Sequence, residues 1–528
     1  MSKSIKNPVN FTFNIGMQEE SGVDDTTLQE GTPFCIAVMG DLSGRFSKTN
    51  LDDIQQRVFK QIDSYDYDEI LASFKIQLDL DFPETGNVIS MPIKKYKDFS
   101  PDQLYKNINE FGELRDLRQR LQNNSTFNDA VKEIQGWLVP ENDRAGDDQD
   151  VNKSHDIVEK DKEVVEASSS IEAISTDNLL DSILEETQQH TSSADASVQV
   201  SDYGQDNNES LVEGFVKQMM ANRVKISSTP RKEEMLAAVD ESISELMRAV
   251  LHHPDFQSIE STWQAIRFLV RRIKSGKSIK IFLLDISKEE LEQDLLSDDV
   301  TNSAAYKLFA DASLGDINWN VIVGDYQFGA DIDDILLLSQ LGYVASKADA
   351  TFISGMDEKI IGCDSFASTP DVNRWSGELD QNIIEAWSLL RGSNIARNIS
   401  LAMPSFLIRE PYSSIVNPIK SFSFEEMTVP VNHDDYLWAN AAYIKVEQLA
   451  RAFAKQGWNM QLGEVAYTED LPMYSYQEKG KTVIKPCAEI PLTETGAVII
   501  QEQGIVPLWS VKNKDKIHSS AFYSLFKH

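Results

Sequence analysis

The sequence predicts a mixed α/β (α+β) fold in which two globular parts are joined by an acidic, flexible linker. Continuous apolar runs at residues 33–39 and 279–284 are typical of strands covered on both faces of a sheet. Apolar residues at helical spacing alternate with such runs, as they do between residues 231 and 274. Strands that alternate with amphipathic helices predict a sheet packed against helices.

Composition excludes several classes of protein. The chain has 528 residues, of which 41% are hydrophobic and 25% charged, so it can bury a sizeable core and divide into two to four domains. Its formal net charge of −34 repels phosphates, which argues against nucleic acid as a partner. The chain has no apolar stretch that could span a membrane, and its first residues lack the apolar segment of a secretory signal. We therefore expect a soluble, cytosolic protein without a membrane partner.

The linker is predicted from charge and from the lack of core-forming residues. Residues 141–210 contain 19 Asp and Glu against 4 Lys and Arg, and neither Trp nor Phe. Such a segment cannot bury enough apolar surface to offset the entropy lost on ordering. It divides the chain into a domain of residues 1–140 and a second domain of residues 211–528.

One segment of the linker has helical spacing. Capping residues precede a stripe formed by Leu179, Leu180, Ile183 and Leu184, which predicts a short amphipathic helix at residues 177–187. A helix of this kind in a tether is suited to docking in the groove of a partner. The alternative is a helix that packs on its own domain or forms only transiently.

The N-terminal domain begins with strand patterns. Val9, Phe11, Phe13 and Ile15 alternate with polar residues and predict a half-exposed strand, and residues 71–82 alternate in the same way. A helical region follows from Ser100, which precedes a proline at the first helical position. Its apolar stripe consists of Leu104, Ile108, Phe111, Leu114, Leu117 and Leu121.

The C-terminal domain shows the alternation of helix and strand more fully. Residues 231–274 predict helices interrupted at Pro254. Further strands are predicted at residues 279–284, 319–324, 350–354 and 483–485, and further helices at residues 333–347 and 436–456.

No motif in the sequence predicts a catalytic, cofactor or metal site. Ser275-Gly276-Lys277-Ser278 lacks the first glycine of a phosphate-binding loop and ends a helix, where a C-capping glycine is expected. His252 and His253 are adjacent and do not share a helical face, which argues against a metal site there. The three cysteines stand far apart in the sequence, which predicts buried thiols. Acidic pairs such as Asp298-Asp299, Asp333-Asp334 and Glu425-Glu426 are interpreted mainly as solvated surface.

Several strings resemble the two contractile sheath proteins of the bacterial type VI secretion system. Residues 8–138 are similar to the small subunit, on the apolar run that ends in Gly40-Asp41-Leu42-Ser43-Gly44-Arg45 and on a Phe-Ser-Pro-Asp string ahead of a helix rich in Leu and Arg. Residues 177–526 resemble the large subunit. The strings that carry this second resemblance are His252-His253-Pro254 with Trp263, Gly324-Asp325-Tyr326, Trp387 to Arg391, Arg409-Glu410-Pro411-Tyr412, the eight residues from Tyr436 to Tyr443, and Gly504 to Leu508.

The resemblance implies a structural protein and no enzyme. Sheath subunits polymerise around an inner tube protein, and an AAA+ recycling unfoldase dismantles the contracted form, so these proteins and other sheath subunits are the implied partners. Extended segments that complete a neighbour's sheet would hold the subunits together, and Val9, Phe11, Phe13 and Ile15 would form such a segment. Its alternative is an edge strand of its own domain. The helix with Leu179, Leu180, Ile183 and Leu184 would bind the unfoldase.

The resemblance leaves more than one role open. The large subunit would continue beyond His528 into a C-terminal linking region, so we expect the chain alone to form no long tubules. A working subunit that obtains those strands from another protein is one hypothesis. A cap or initiator that ends sheath growth is a second. The third is a non-polymerising adaptor that links the sheath to the unfoldase or the baseplate.

Overall fold

The computed structural model describes residues 32–45, 52–83, 86–138, 210–223, 232–273, 276–296, 299–311, 317–462 and 466–527. They form a mixed α/β fold, which confirms the predicted class. We refer to the described residues up to 138 as the N-terminal part and to those from 210 onward as the C-terminal part. The described residues up to Ile134 and those from Ser210 onward belong to the same compact unit.

A mixed sheet organises the fold. Its strands, in chain order, are β1 (Phe34–Gly40), β2 (Lys60–Ile62), β5 (Ile279–Asp285), β6 (Trp319–Phe328), β7 (Thr351–Met356), β8 (Ile399–Met403), β11 (Ala466–Thr468), β14 (Val506–Ser510) and β15 (Ile517–Ser519). The spatial order is β11-β15-β14-β8-β7-β6-β1-β5-β2. Neighbouring strands from β5 through β14 run parallel, and the antiparallel strands β2, β15 and β11 lie outside them.

Three smaller antiparallel pairs accompany this sheet. The pairs are β3 (Ile76–Phe82) with β4 (Asn87–Ile93), β9 (Phe406–Leu407) with β10 (Trp438–Ala439), and β12 (Tyr474–Glu478) with β13 (Lys481–Lys485).

Helices cover both faces of the main sheet. They are α1 (Tyr67–Ser73), α2 (Pro101–Asn107), α3 (Asn109–Gln122), α4 (Phe127–Leu138), α5 (Leu211–Arg223), α6 (Lys232–Leu251), α7 (Pro254–Arg272), α8 (Lys288–Leu295), α9 (Ala304–Ala310), α10 (Ile332–Lys347), α11 (Gln381–Gly392), α12 (Ala442–Gln456) and α13 (Glu494–Glu502). Among the described residues, no helix combines the length and the apolar character needed to cross a bilayer.

The two faces of β1 belong to different packing layers. Cys35, Ala37 and Met39 join the apolar core that includes residues of α8 and α10. Phe34 points to the other face, where its ring stacks on Phe453 of α12 at 4.8 Å. Side chains alternate between the faces of a strand, so a strand packed on both sides must be apolar throughout. The run of apolar residues at 33–39 therefore reflects the packing of β1 on both faces.

Two predicted elements begin later than expected. Residues 71–82 were predicted as one strand, but Leu71 lies in α1, and β3 begins at Ile76. Tyr67 and Leu71 are both buried at helical spacing, and Lys75, with φ of 51°, turns the chain into the strand. The helix predicted for residues 436–456 is Ala442–Gln456 in the structure, because Trp438–Ala439 pairs with β9.

The break predicted at Pro254 is confirmed, since α6 ends at Leu251 and Pro254 is the first residue of α7. The prediction that a glycine caps the C-terminus of α7 was wrong. The C-capping residue is Ile273, whose N–H donates to Leu269 O, and Gly276 lies beyond it in the turn that leads to β5. The domain boundaries stay a prediction.

Candidate functional site at the junction of the two parts

The site begins with β1, which lies inside a sheet built mainly by the C-terminal part. All of β1, from Phe34 to Gly40, is in register with Ile279–Asp285 of β5. On its other side β1 pairs in parallel with β6, with a register shift between Cys35 and Ile36. A strand of the N-terminal part therefore fills the position between two strands of the C-terminal part.

The turn after β1 is held by one carboxylate from each part of the chain. The Asp41 side chain accepts hydrogen bonds from the N–H of Ser43 and from the N–H of Arg45. Asp285 of β5 accepts from the Leu42 N–H at 2.8 Å and from Ser43 Oγ at 2.6 Å. Gly44 has φ of 71°, in the left-handed region that glycine adopts without strain. These contacts place Arg45 against the start of α8.

Glu290 is the centre of a buried ion-pair cluster between the two parts. Arg45 Nε donates to its Oε2 at 2.6 Å, and Arg57 Nη1 donates to the same oxygen at 3.1 Å. Arg45 Nη1 also pairs with Asp285 Oδ2 at 2.9 Å. Burial alone would raise the pKa of Glu290, but hydrogen bonds from Arg57 and Arg45 outweigh it and lower that pKa. The cluster therefore stabilises an ionised carboxylate that belongs to the C-terminal part.

Glu290 is positioned by its own helix as well. It is the third residue of α8 and forms a capping box with Ser287, whose N–H donates to Glu290 Oε2 at 3.0 Å. The capping box holds the Glu290 carboxylate in the position where Arg45 and Arg57 contact it. Glu290 thus both caps a helix and anchors the N-terminal part.

Trp263 of α7 connects the same turn to the N-terminal helices. Its indole Nε1 donates to Leu42 O at 2.9 Å, and its own carbonyl accepts from Tyr67 Oη at 2.6 Å. The Tyr67 and Trp263 rings meet edge to face, with centroids 5.7 Å apart. Tyr96 Oη donates to Gln264 Oε1 at 3.0 Å, one residue further along α7.

Replacing Tyr67 by phenylalanine tests this contact. The variant loses the hydroxyl that reaches Trp263 O inside the protein, and the free energy of unfolding should fall by about 1 kcal/mol. Tyr65→Phe is the matched control, because Tyr65 is 97% exposed and its loss of a hydroxyl should change stability by less than about 0.5 kcal/mol. Urea denaturation of both variants measures the difference. If the Tyr67→Phe and Tyr65→Phe variants are equally stable, the Tyr67 hydroxyl contributes nothing to stability at this junction.

The junction extends along the outer helices. Asp102 Oδ1 accepts from the N–H groups of Lys420 and Ser421, both at 2.9 Å. Arg118 Nη2 donates to Asp240 Oδ2 at 3.2 Å, which joins α3 to α6. Polar contacts between the two parts therefore reach from the central sheet to the surface.

A second buried ion-pair cluster lies within the C-terminal part. Arg409 donates to both oxygens of Glu260 and to both oxygens of Glu426, at distances from 2.8 to 3.3 Å. Both carboxylates are 1% exposed or less. Burial alone would raise the pKa of Glu426, but the charge of Arg409 outweighs it and lowers that pKa to about 2. His252 Nε2 lies 3.6 Å from Glu426 Oε1.

Two protein families match the chain. The family described as "EvpB/VC_A0108, tail sheath N-terminal domain" matches residues 233–525, more than half of the chain. The chain belongs to this tail sheath family. A second family, described as "Type VI secretion system, VipA, VC_A0107 or Hcp2", matches residues 13–138. Both matches confirm the resemblance to the small and the large sheath subunit in one chain.

A curated relative supports the same family. The "Type VI secretion system sheath protein TssC1" of Pseudomonas aeruginosa is 29% identical over 296 residues, which is 54% of this chain and 59% of the relative. The match spans less than two thirds of that relative's length.

The junction follows the boundary between the two sheath families. Residues that match the VipA family contribute β1, Arg45, Arg57 and Tyr67. Residues that match the tail sheath family contribute their partners Asp285, Glu290 and Trp263. Sequence reasoning used the Gly-Asp-Leu-Ser-Gly-Arg string for the resemblance to the small subunit but missed its ion pairs. Arg45, directly after a buried strand and a glycine turn, was the available signal.

The predicted partner-binding residues of this sheath-family chain lie outside the described residues. They are Val9, Phe11, Phe13 and Ile15 of the predicted exchanged strand, and Leu179, Leu180, Ile183 and Leu184 of the predicted linker helix. Their roles stay predictions.

The predicted burial of the cysteines is confirmed, since Cys35, Cys363 and Cys487 are all buried. Burial, followed by the charge of Asp515, raises the pKa of the Cys487 thiol to about 12, which keeps it protonated. Among the described residues, no three His, Cys, Asp or Glu side chains are placed to share a metal ion. His253 instead caps α7, its Nδ1 accepting from the Asp255 N–H at 3.2 Å.

The interpretation of acidic pairs as solvated surface was wrong for one member of two pairs. Glu426 is buried against Arg409, and Asp334 is 4% exposed beside Lys288. Their neighbours Glu425 and Asp333 are exposed, as expected. Adjacent helical or turn positions face different directions, so one acid of a pair can reach a buried cation while the other meets water.

Proposed function

We propose that this chain is a structural component of a type VI secretion contractile sheath in which the small-subunit and large-subunit parts are covalently joined. The observation that carries the proposal is β1, a strand from residues that match the VipA family, lying between β5 and β6 from residues that match the tail sheath family. The name of the relative TssC1 supports a sheath role. We place the protein in the bacterial cytoplasm and assign it no catalytic activity.

The proposed partners are other sheath subunits, with the inner tube protein, the AAA+ recycling unfoldase and the baseplate as further ones. The outer strands of the main sheet, Lys60–Ile62 and Ala466–Thr468, are each three residues long. Short edge strands discourage pairing with a neighbour's sheet. We therefore assign contact with a neighbouring subunit to the predicted strand that carries Phe11 and Phe13. We assign contact with the unfoldase to the predicted linker helix that carries Leu180 and Ile183.

Incorporation into a sheath tests the proposal. The tagged full chain is mixed with the complete small and large sheath subunits of its own organism, and tubules are pelleted and viewed by electron microscopy. We expect the chain in the pellet and the tag along the tubules, because a strand contributed to a neighbour's sheet holds a subunit in the lattice. Phe11→Asp with Phe13→Asp should reduce the pelleted amount at least tenfold. Thr12→Asp with Asn14→Asp, on the opposite face of the predicted strand, is the control and should leave it unchanged.

Two other outcomes would favour the alternatives. Tubules that become shorter when the chain is far below the amount of the other subunits would identify a cap or initiator. An adaptor would leave the tubule length unchanged and would itself stay in the supernatant. The unfoldase would capture it.

A further inference from the structure

A buried lysine on α12 donates only to neutral acceptors among the described residues. Lys445 is 2% exposed, and its Nζ donates to Gln448 Oε1 at 3.0 Å, to Ser519 Oγ at 2.9 Å and to Ser520 O at 3.4 Å. All three acceptors are neutral. Burying an ammonium without a counter-ion costs several kcal/mol, and proteins normally compensate it with a carboxylate.

The nearest carboxylate in the hydrogen-bond network is separated from Lys445 by neutral groups. Gln448 Nε2 donates to Thr468 Oγ1 at 3.3 Å, and Thr468 Oγ1 donates to Glu447 Oε2 at 2.9 Å. Glu447 Oε2 also lies 3.6 Å from Arg451 Nη2, so its charge is already shared with another cation. Burial lowers the pKa of Lys445 to about 7, with no compensating charge.

Lys445 lines a cavity of about 380 Å³, together with two further cations, Arg451 and Lys455. None of the described residues that line it is an Asp or a Glu, although the chain has 84 acidic residues against 50 basic ones. Lys455 is exposed and forms no ion pair with any described residue. The apolar part of the wall comes from Leu449, Leu462 and Phe522, among others.

We propose that this cavity binds a small organic anion, a carboxylate carried on an apolar body. The carboxylate would lie against Lys445 and Arg451, where an anion oxygen could replace the long hydrogen bond to Ser520 O, and the apolar body would contact Leu449, Leu462 and Phe522. A volume near 400 Å³ is in the range of small-molecule sites, which combine apolar walls with a few convergent polar groups. This ligand would supply the negative charge that Lys445 lacks.

The inference is independent of the sheath role and assigns the chain a small-molecule site. The cavity also borders β11, since Ala466 and Tyr467 line it. An occupant would therefore contact the outermost strand at one end of the main sheet. Anion binding should stabilise this end of the sheet.

Hexanoate is the probe, with hexanol and hexylammonium as neutral and cationic controls of the same length. At pH 8 we expect hexanoate to raise the melting temperature of the full chain and the two controls to leave it unchanged. A bound anion raises the pKa of Lys445 from about 7, so binding should take up protons. Isothermal titration calorimetry in buffers of different ionisation enthalpy measures this uptake.

Variants assign the binding to the cavity. Lys445→Met should abolish proton uptake and weaken hexanoate binding at least tenfold. Arg451→Gln with Lys455→Gln should weaken binding without removing the buried lysine, and keeps the test valid if the first variant fails to fold. Lys347→Gln, on α10 and outside the cavity, is the control and should bind as the wild type does.

Hexanoate binding without proton uptake would overturn the proposal. So would an equal effect of hexanol, or unchanged affinity in the Arg451 and Lys455 double variant. Inorganic phosphate that binds as tightly as hexanoate would also overturn it, because the apolar wall would then contribute nothing.

Discussion

Replacing Arg409 by methionine is expected to lower the free energy of unfolding by about 3–5 kcal/mol. Glu260 and Glu426 are buried against its guanidinium, which donates to both oxygens of each carboxylate. Without Arg409, two carboxylates would share a buried site in which His252, 3.6 Å from Glu426, is the remaining basic side chain described in this cluster. Guanidinium chloride denaturation at pH 7 measures the loss.

The pH dependence separates this explanation from a loss of packing. With Arg409 present, the pKa of Glu426 is about 2, so its ion pair stabilises the protein at pH values above the ordinary glutamate value. Burial already raises the pKa of Glu260 with Arg409 present. In the variant, burial would raise the pKa of Glu426 as well, and protonation would then favour the folded state. The stability deficit should therefore be largest near pH 7 and shrink toward pH 4.

Arg374→Met is the matched control, because Arg374 is exposed and forms no ion pair with a described residue. Its effect should stay below about 0.5 kcal/mol at every pH. A deficit of Arg409→Met that is the same at pH 4 and pH 7 would contradict the electrostatic explanation.

Cutting the chain within residues 141–210 is expected to leave the two parts associated. A protease site inserted there should give two fragments that elute together on size exclusion, because β1 pairs along both of its edges with strands of the C-terminal part. Glu290→Ala should disrupt this association. The variant leaves Arg45 and Arg57 buried without their shared carboxylate, a loss of about 3–5 kcal/mol.

Glu289→Ala provides the control for the cut chain, since Glu289 is the exposed neighbour of Glu290 on α8. Its fragments should elute together, as those of the cut chain that retains Glu290 do. Fragments that separate after the cut even with Glu290 present would mean that the junction is too weak to hold the parts without a covalent connection.

The local pattern of the sequence was enough to predict much of the fold. The strand Ile279–Asp285 is covered on both faces, so its sequence is a continuous apolar run, and this run predicted it. The helices α6 and α7 were predicted because apolar spacing and Pro254 are local signals. Which strands pair was not predictable. The register of Phe34 with Ile279 joins residues on opposite sides of the linker, and no local pattern encodes a partner so distant in sequence.

The buried charges were missed for a related reason. Whether a charged side chain is buried depends on a partner from elsewhere in the chain, as Glu260 depends on Arg409. A signal was present in α7, where Glu260 lies on the same helical stripe as the buried Phe256 and Trp263. Lys445 gives a similar signal, since it lies on α12 four residues from the buried Leu449. A charged residue inside an apolar stripe therefore indicates a candidate buried charge.

The position of β1 also bears on how the sheet comes together. Two separate polypeptides would have to meet in solution to complete such a sheet, and the yield would depend on their concentrations. A tether of some seventy residues makes the encounter intramolecular, with an effective concentration on the order of millimolar. The covalent connection also fixes the ratio of the two parts at one to one. Completion of the sheet should then be insensitive to dilution and to any imbalance in synthesis.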